Sequence, residues 1–156
     1  MHKFFNMKSL FNQNDIQEFV SRINKIQATT KPEWGKMNAS QVMAHCTAPL
    51  KMAHGEIKSK RGLMSLLFGK YFKGKMVNPA VPFTKNLPTD PNFIFPDVKE
   101  FEQERQKLIS KLNEFASKGK AGITTQPHSF FGKMSPEEWD IIQSKHLDHH
   151  LRQFGV

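Results

Sequence analysis

The sequence predicts an all-α domain organised as a bundle of four long helices. Three observations carry that prediction. Apolar residues recur at helical spacing in four separate stretches, three of those stretches open on side chains able to cap a helix, and strand signals are few. With 156 residues, 38% hydrophobic and 24% charged, the chain is long enough to bury one core and is globular in composition, so residues 1–156 read as a single domain.

Residues 15–27 form the first predicted helix, with Ile16, Phe19, Val20, Ile23 and Ile26 on one side and Asn14 as the N-cap. The second starts at Asn38, where Gln41 can reach back three residues to complete a capping box, and runs to about His54. Pro49 lies inside it and removes one backbone donor, so a kink is expected near the following turn. The third spans residues 97–117 with Phe101, Leu108, Leu112 and Phe115 inward, and Gly119 and Gly122 stop it. The last has the sharpest start. Ser135-Pro136-Glu137-Glu138 joins an N-cap serine, a proline at the first helical position and a capping-box glutamate, and the helix continues to about Phe154 with Gly155 beyond it.

Between residues 55 and 97 the periodicity fades and five prolines punctuate the chain. A short helix is predicted over residues 63–72, inside a long loop excursion between the second and third long helices. Loops of that length usually serve function, and this one is expected to cover a pocket.

Composition excludes several classes. No apolar run approaches the ~18 residues of a membrane span, and the N-terminus lacks a signal-type apolar stretch, so no membrane partner is expected. Cys46 is the single cysteine, which precludes an internal disulfide framework and points to a reducing, cytoplasmic setting. The net charge of +9 suits an acidic partner in principle, but the charges are spread and the densest run, Lys58-Ser59-Lys60-Arg61, is short. A solvated surface is the better reading, and no nucleic-acid partner is expected. Gly-x-Ser-x-Gly, Walker-type, His-Glu-x-x-His and Cys-x-x-Cys patterns are absent.

The chemistry concentrates in the histidines. His146 and His150 are four residues apart on the last helix, so their rings share a face about one turn apart. At about 100° per residue, Trp139, Ile142, His150 and Gln153 all fall within roughly 40° of His146, which turns the pair into the bundle. On the second helix, Pro49, Val42, Met52 and Ala53 lie within roughly 80° of His45, so His45 belongs to an apolar face too. One inward histidine and an inward His-x-x-x-His pair can converge on one ion, as bundles build metal sites in their cores. Three neutral imidazoles would leave open positions for water or substrate, as in catalytic sites, and zinc, nickel or iron would each accept them. The competing reading is three ordinary hydrogen-bonded core histidines.

His149 lies about 60° from His146, at the helix edge, with a supporting role or replacement of His150 as alternatives. His54 is turned about 180° from His45, and His54, His128 and His2 are read as non-ligands. Cys46 is rotated about 100° from His45 and reads as a small buried hydrophobe rather than a nucleophile. Phe130, Phe131 and Trp139 are candidates for pocket lining or for core packing, with the loop over residues 128–133 helping to cover the pocket.

Several segments together resemble the DinB/YfiT-like superfamily, in particular an uncharacterised branch of it. They are Met7-Lys8-Ser9-Leu10-Phe11-Asn12, Trp34-Gly35-Lys36-Met37-Asn38 leading to Met43-Ala44-His45-Cys46, Asn86-Leu87-Pro88-Thr89-Asp90-Pro91, and His128-Ser129-Phe130-Phe131-Gly132-Lys133 leading to His146-Leu147-Asp148-His149-His150-Leu151-Arg152-Gln153. The resemblance implies an up-down four-helix bundle and a metal held by one histidine of the second helix and a pair of the last, here His45, His146 and His150. The superfamily's ending, His-His with a Gln three residues on, matches His150 and Gln153, while the small Gly often found before that Gln is Arg152. Characterised members include thiol-dependent S-transferases and a thiol-dependent isomerase. By resemblance, this chain is expected to be a metal-dependent thiol transferase or hydrolase acting on a small electrophile, with a low-molecular-weight thiol as partner. The rival expectation is a non-catalytic binding or stress-response bundle without a functional metal, with a homodimer as an expected assembly.

Overall fold

Two of the helix starts marked by the sequence are used as read. The Ser135 hydroxyl accepts the Glu138 backbone N–H at 3.2 Å, and the Glu138 carboxylate accepts the Ser135 N–H at 2.9 Å, with Pro136 in the first turn. Asn38 and Gln41 make the same reciprocal pair, each bond 2.9 Å long. The first helix differs. Its cap is Asn12 rather than Asn14, because the Asn12 side chain accepts the N–H groups of both Asn14 and Asp15. The helix therefore begins two residues earlier, and it ends at Ile23 rather than 27, although Ile26 stays buried in the turn that follows.

The computed structural model describes residues 7–58, 60–97 and 100–156. Among these it has five α-helices and no strand: α1 (Gln13–Ile23), α2 (Ala39–Ala53), α3 (Leu63–Met76), α4 (Phe101–Lys118) and α5 (Pro136–Gln153). Single 3-10 turns cover Pro91–Phe93 and Gly119–Gly122, and His128 and Gly132 share one isolated antiparallel bridge. The third long helix, expected over residues 97–117, begins at Phe101 among the described residues, with Val98 and Lys99 lying outside them. Gly119 ends it at φ +56°, a conformation that favours glycine.

Four helices share the core. α2 packs most extensively on α4 and also on α5, while α1 lies against both α4 and α5. Phe19 of α1, Met43 of α2, Leu112 and Phe115 of α4 and Trp139 of α5 are almost wholly removed from water. The segment before α1 is pinned to α5: Asp140 accepts the Leu10 N–H at 2.6 Å and the Ser9 hydroxyl at 2.7 Å, which places Leu10 in the core. Arg22, near the end of α1, reaches Asp148 of α5 at 2.8 Å. No helix among the described residues is long and apolar enough to cross a membrane.

Because the cap of α5 is a specific two-way hydrogen bond, Ser135→Ala should lower stability by about 1 kcal/mol through loss of that bond. Urea unfolding at neutral pH measures this. An unchanged midpoint would mean that Pro136 and Glu138 start the helix unaided.

Candidate metal centre

α2 and α5 cross with His45 facing the His146–His150 pair. The three imidazoles are in mutual ring contact, with centroids 4.8 Å apart for His45 and His146 and 4.6 Å for each of the other two pairs. Each offers a nitrogen, and these nitrogens lie within 4.8 Å of one another. His45 is only 3% exposed and His150 9%, while His146 keeps one partly open side. Pro49 sits one turn after His45 inside α2 and has no N–H to offer the His45 carbonyl.

Two of the rings are held in a defined tautomer by the surrounding chain. The Nδ1 of His45 is 2.9 Å from the Phe93 carbonyl oxygen, which can only accept, so His45 carries its proton there and presents Nε2 as a lone pair. Gln153 does the same for His150. Its Nε2 donates to the Trp34 carbonyl at 2.6 Å, which orients the amide so that Oε1 accepts from His150 Nδ1 at 2.8 Å. Metal-ligating histidines characteristically bond a carbonyl or carboxylate through the other ring nitrogen in this way.

Burial keeps the set neutral. It pushes His150 down to about 3, lowers His45 despite the opposing Phe93 hydrogen bond, and lowers His146 well below the ordinary histidine value, with the neighbouring imidazoles adding to the effect. Neutral imidazole is the form that binds metal. His45 Nε2 and His146 Nε2 stand 2.9 Å apart. Two nitrogens at ~2.0–2.1 Å from one ion stand about 2.9–3.4 Å apart, depending on the angle between them, so the separation fits a shared ion. The donor set therefore fits a divalent metal.

The site's surroundings differ from expectation in one respect. Trp139 is buried in the core against His128, Phe131 packs on His128, and Phe130 packs on Phe72 of α3. The 128–133 loop thus supports α3, and the rings near the site come from elsewhere. Phe83, in the excursion, lies 6.4 Å from His146 and 6.1 Å from His149, and Trp34 lies 5.8 Å from His149. Phe93, also in the excursion, contributes only a backbone carbonyl, which carries no side-chain signal in the sequence. Trp34 and Phe83 reach the site through loops, beyond the range of helical phasing.

The other candidate residues fall as follows. His149 is at the edge, against Trp34 and Phe83 and outside the convergent trio. His128 accepts the N–H groups of Phe130 and Phe131 at 3.0 and 3.2 Å and is a loop-fixing residue. His2 lies outside the described residues. Cys46 is buried, and burial pushes its thiol up, so it is no nucleophile. His54 meets Glu56 and Glu114 in a second convergence. Lys111 bonds both carboxylates and Lys118 pairs with Glu114, whose pKa the Lys111 hydrogen bond brings down to about 2. Those carboxylates are already neutralised, and the two ammonium groups would repel a cation.

Gly35 supports the trio indirectly. It adopts φ +81°, and a Cβ there would sit 2.4 Å from Gln153 Nε2, the atom that donates to Trp34. Gly35→Ala is therefore expected to dislodge Gln153, release the His150 ring and weaken metal binding by about tenfold without removing a ligand. Titration with a divalent ion checks this, and wild-type affinity in the variant would show that Gln153 does not position His150.

The family model for a protein of unknown function, DUF1569, matches residues 6–155. The chain belongs to that family. No curated protein and no solved structure matches it significantly.

Proposed function

We propose that this member of a family of unknown function is a metal-dependent enzyme in which His45, His146 and His150 hold a divalent ion, and that its core is a four-helix bundle of the DinB/YfiT-like type formed by α1, α2, α4 and α5. The observation that carries the reading is the fixing of His45 by the Phe93 carbonyl and of His150 by Gln153, which leaves each with an Nε2 lone pair beside His146. A buried core histidine would also hydrogen-bond one ring nitrogen. What favours the metal is that the remaining nitrogens of all three rings converge. Zinc, nickel or iron would each suit three imidazoles. The bound ion supplies Lewis acidity, which lowers the pKa of a thiol or water, the chemistry a thiol S-transferase or a hydrolase requires.

The chain's own groups supply the rest. Phe93 and Gln153 hold the rings in orientation, and Phe83, Trp34 and His149 shield the more open side, where a small electrophile and a low-molecular-weight thiol would enter. No carboxylate belongs to the trio, so proton transfer falls to the substrate thiol, to water or to His149 at the rim. The single cysteine, Cys46, suits a reducing, cytoplasmic setting for this chemistry.

One observation favours a second reading, a non-catalytic bundle without a metal. The 2.9 Å contact between His45 and His146 is itself a satisfied hydrogen bond if His146 carries its proton on Nε2. Elemental analysis of untagged protein purified without chelator separates the two, together with thiol-transfer assays on a panel of electrophiles. Wild type, chelated protein, chelated protein with metal restored and His45→Ala are compared. Activity lost on chelation and in His45→Ala, and regained with metal, supports the enzyme. Metal-free protein that takes up no added ion, or full activity in the chelated sample, sinks it.

A further inference from the structure

α3 faces the wrong way for an ordinary amphipathic helix. Its buried residues are Ser65 and Gly69, and the Ser65 hydroxyl donates to the Phe130 carbonyl at 2.7 Å. A Cβ on Gly69 would lie 2.1 Å from that same carbonyl oxygen, so only the smallest side chain lets the helix sit this close. The bulky apolar residues point outward: Leu63 is 72% exposed, Leu67 and Tyr71 64% each, and Met64 and Leu66 62% each. At about 100° per residue, these and Phe68 sweep roughly 200° of the helix surface opposite Ser65 and Gly69. Among the described residues outside α3, the exposed large aliphatic ones are single residues in loops, such as Val81, Leu87 and Ile94.

The helix is held in this pose at several points. Lys73 pairs with Glu138 at 2.9 Å, and Lys145 donates to the Met76 and Asn78 carbonyls at 2.6 and 2.8 Å. The chain segment that carries it has charge of one sign. Residues 57–89 contain seven Lys or Arg and no Asp or Glu. Lys70 and Lys75 are exposed among the apolar residues, and the Lys75 ammonium stands 5.1 Å from the Tyr71 ring.

We propose that α3 is an interfacial helix that docks the protein on an anionic lipid surface, with Leu63, Leu66, Leu67 and Tyr71 entering the headgroup boundary and Lys70 and Lys75 meeting lipid phosphates. Exposed aliphatic and aromatic residues interleaved with lysine, and no acidic residue, are the composition such helices use. The face is a single convex helix, which suits a flat, deformable surface. A protein groove would cover a narrower stripe. A second copy of the chain on this face would bring two basic surfaces together, which opposes it. The expectation of no membrane partner rests on the lack of a spanning stretch, and surface docking of a 14-residue helix needs none.

The test is co-sedimentation of the full chain with vesicles of phosphatidylcholine alone and of phosphatidylcholine with added phosphatidylglycerol, at several salt concentrations. Binding is expected only to the anionic vesicles and should weaken with salt. Leu63→Glu with Leu67→Glu should lower partitioning by at least about tenfold, and Lys70→Gln or Lys75→Gln by about fivefold each. Both leucines are largely exposed, so circular dichroism should be unchanged, and Leu67→Gln is the milder variant should the double one unfold. Absence of binding to anionic vesicles overturns the proposal, as does binding that ignores the leucine substitutions, which would reflect net charge alone. Binding to soluble polyglutamate without vesicle binding would overturn it in favour of an acidic protein partner. A concentration-dependent dimer dissolved by Leu67→Gln, with no vesicle binding, would overturn it in favour of a second copy.

Discussion

Replacing His146 or His150 with Ala is expected to lower affinity for a divalent ion by at least about tenfold while the protein stays helical. The two substitutions remove different things. His146→Ala deletes the ring whose Nε2 stands 2.9 Å from His45 Nε2, so His45 keeps its Phe93 bond but loses its facing nitrogen. His150→Ala deletes a nitrogen donor and also strands the Gln153 carbonyl that the ring now occupies. The fold should survive both, because the large buried side chains of the core, such as Trp139, Phe115 and Leu112, are untouched. His149→Ala is the control, since His149 lies outside the trio and should cost little metal affinity. Isothermal titration with zinc and with nickel reads all three variants. Wild-type affinity in both His146→Ala and His150→Ala would remove the metal centre, and with it the proposed chemistry.

Much of this candidate site was legible in the sequence because its three histidines lie on regular helices. A period of 3.6 residues is enough to turn His146 and His150 to one face and to put His45 on an apolar one, and the structure brings the three rings together. The same arithmetic turned His54 away from them, and it lies instead near Glu56 and Glu114. What could not be read were contacts made through irregular chain. The Phe93 carbonyl has no residue identity to recognise, and Phe83 and Trp34 arrive from segments that carry no period. The boundary error in α1 is local. Asn12 and Asn14 are equally good caps by composition, and the one that bonds two N–H groups decides the start. α3 shows a different limit. An apolar run without clear period suggests a short helix without saying which side faces in, and the signal for this one lay in its small residues Ser65 and Gly69, four apart.

Acid is expected to destabilise this protein well above the pH at which carboxylates protonate, and His128 is the residue that isolates the effect. Its Nδ1 accepts two backbone N–H groups, from Phe130 and Phe131, so a proton on that nitrogen would break both bonds. Burial brings its pKa down to about 4, with Asp90 opposing weakly. An unfolded histidine takes up its proton near 6.5. Between about 6.5 and 4 the unfolded chain therefore holds a proton at this position that the folded chain refuses, so stability is full above that window and falls as pH drops through it. The slope is about 1.4 kcal/mol per pH unit, which accumulates to an effect on the order of 3 kcal/mol before it levels off near the folded value. His45, His146 and His150 shift in the same direction, so the wild-type curve alone cannot assign the loss. The difference between wild type and His128→Asn can, because all the other histidines, His54 and His149 included, are common to both. Asn keeps a carbonyl acceptor for the loop but takes up no proton. Urea unfolding in the presence of chelator, at intervals from pH 7 to about 4.5, should show wild type losing its advantage over His128→Asn steadily below about pH 6.5. Parallel curves across that range would mean that His128 titrates alike in the folded and unfolded states, and the loop would then owe its geometry to the His128–Gly132 backbone pair alone.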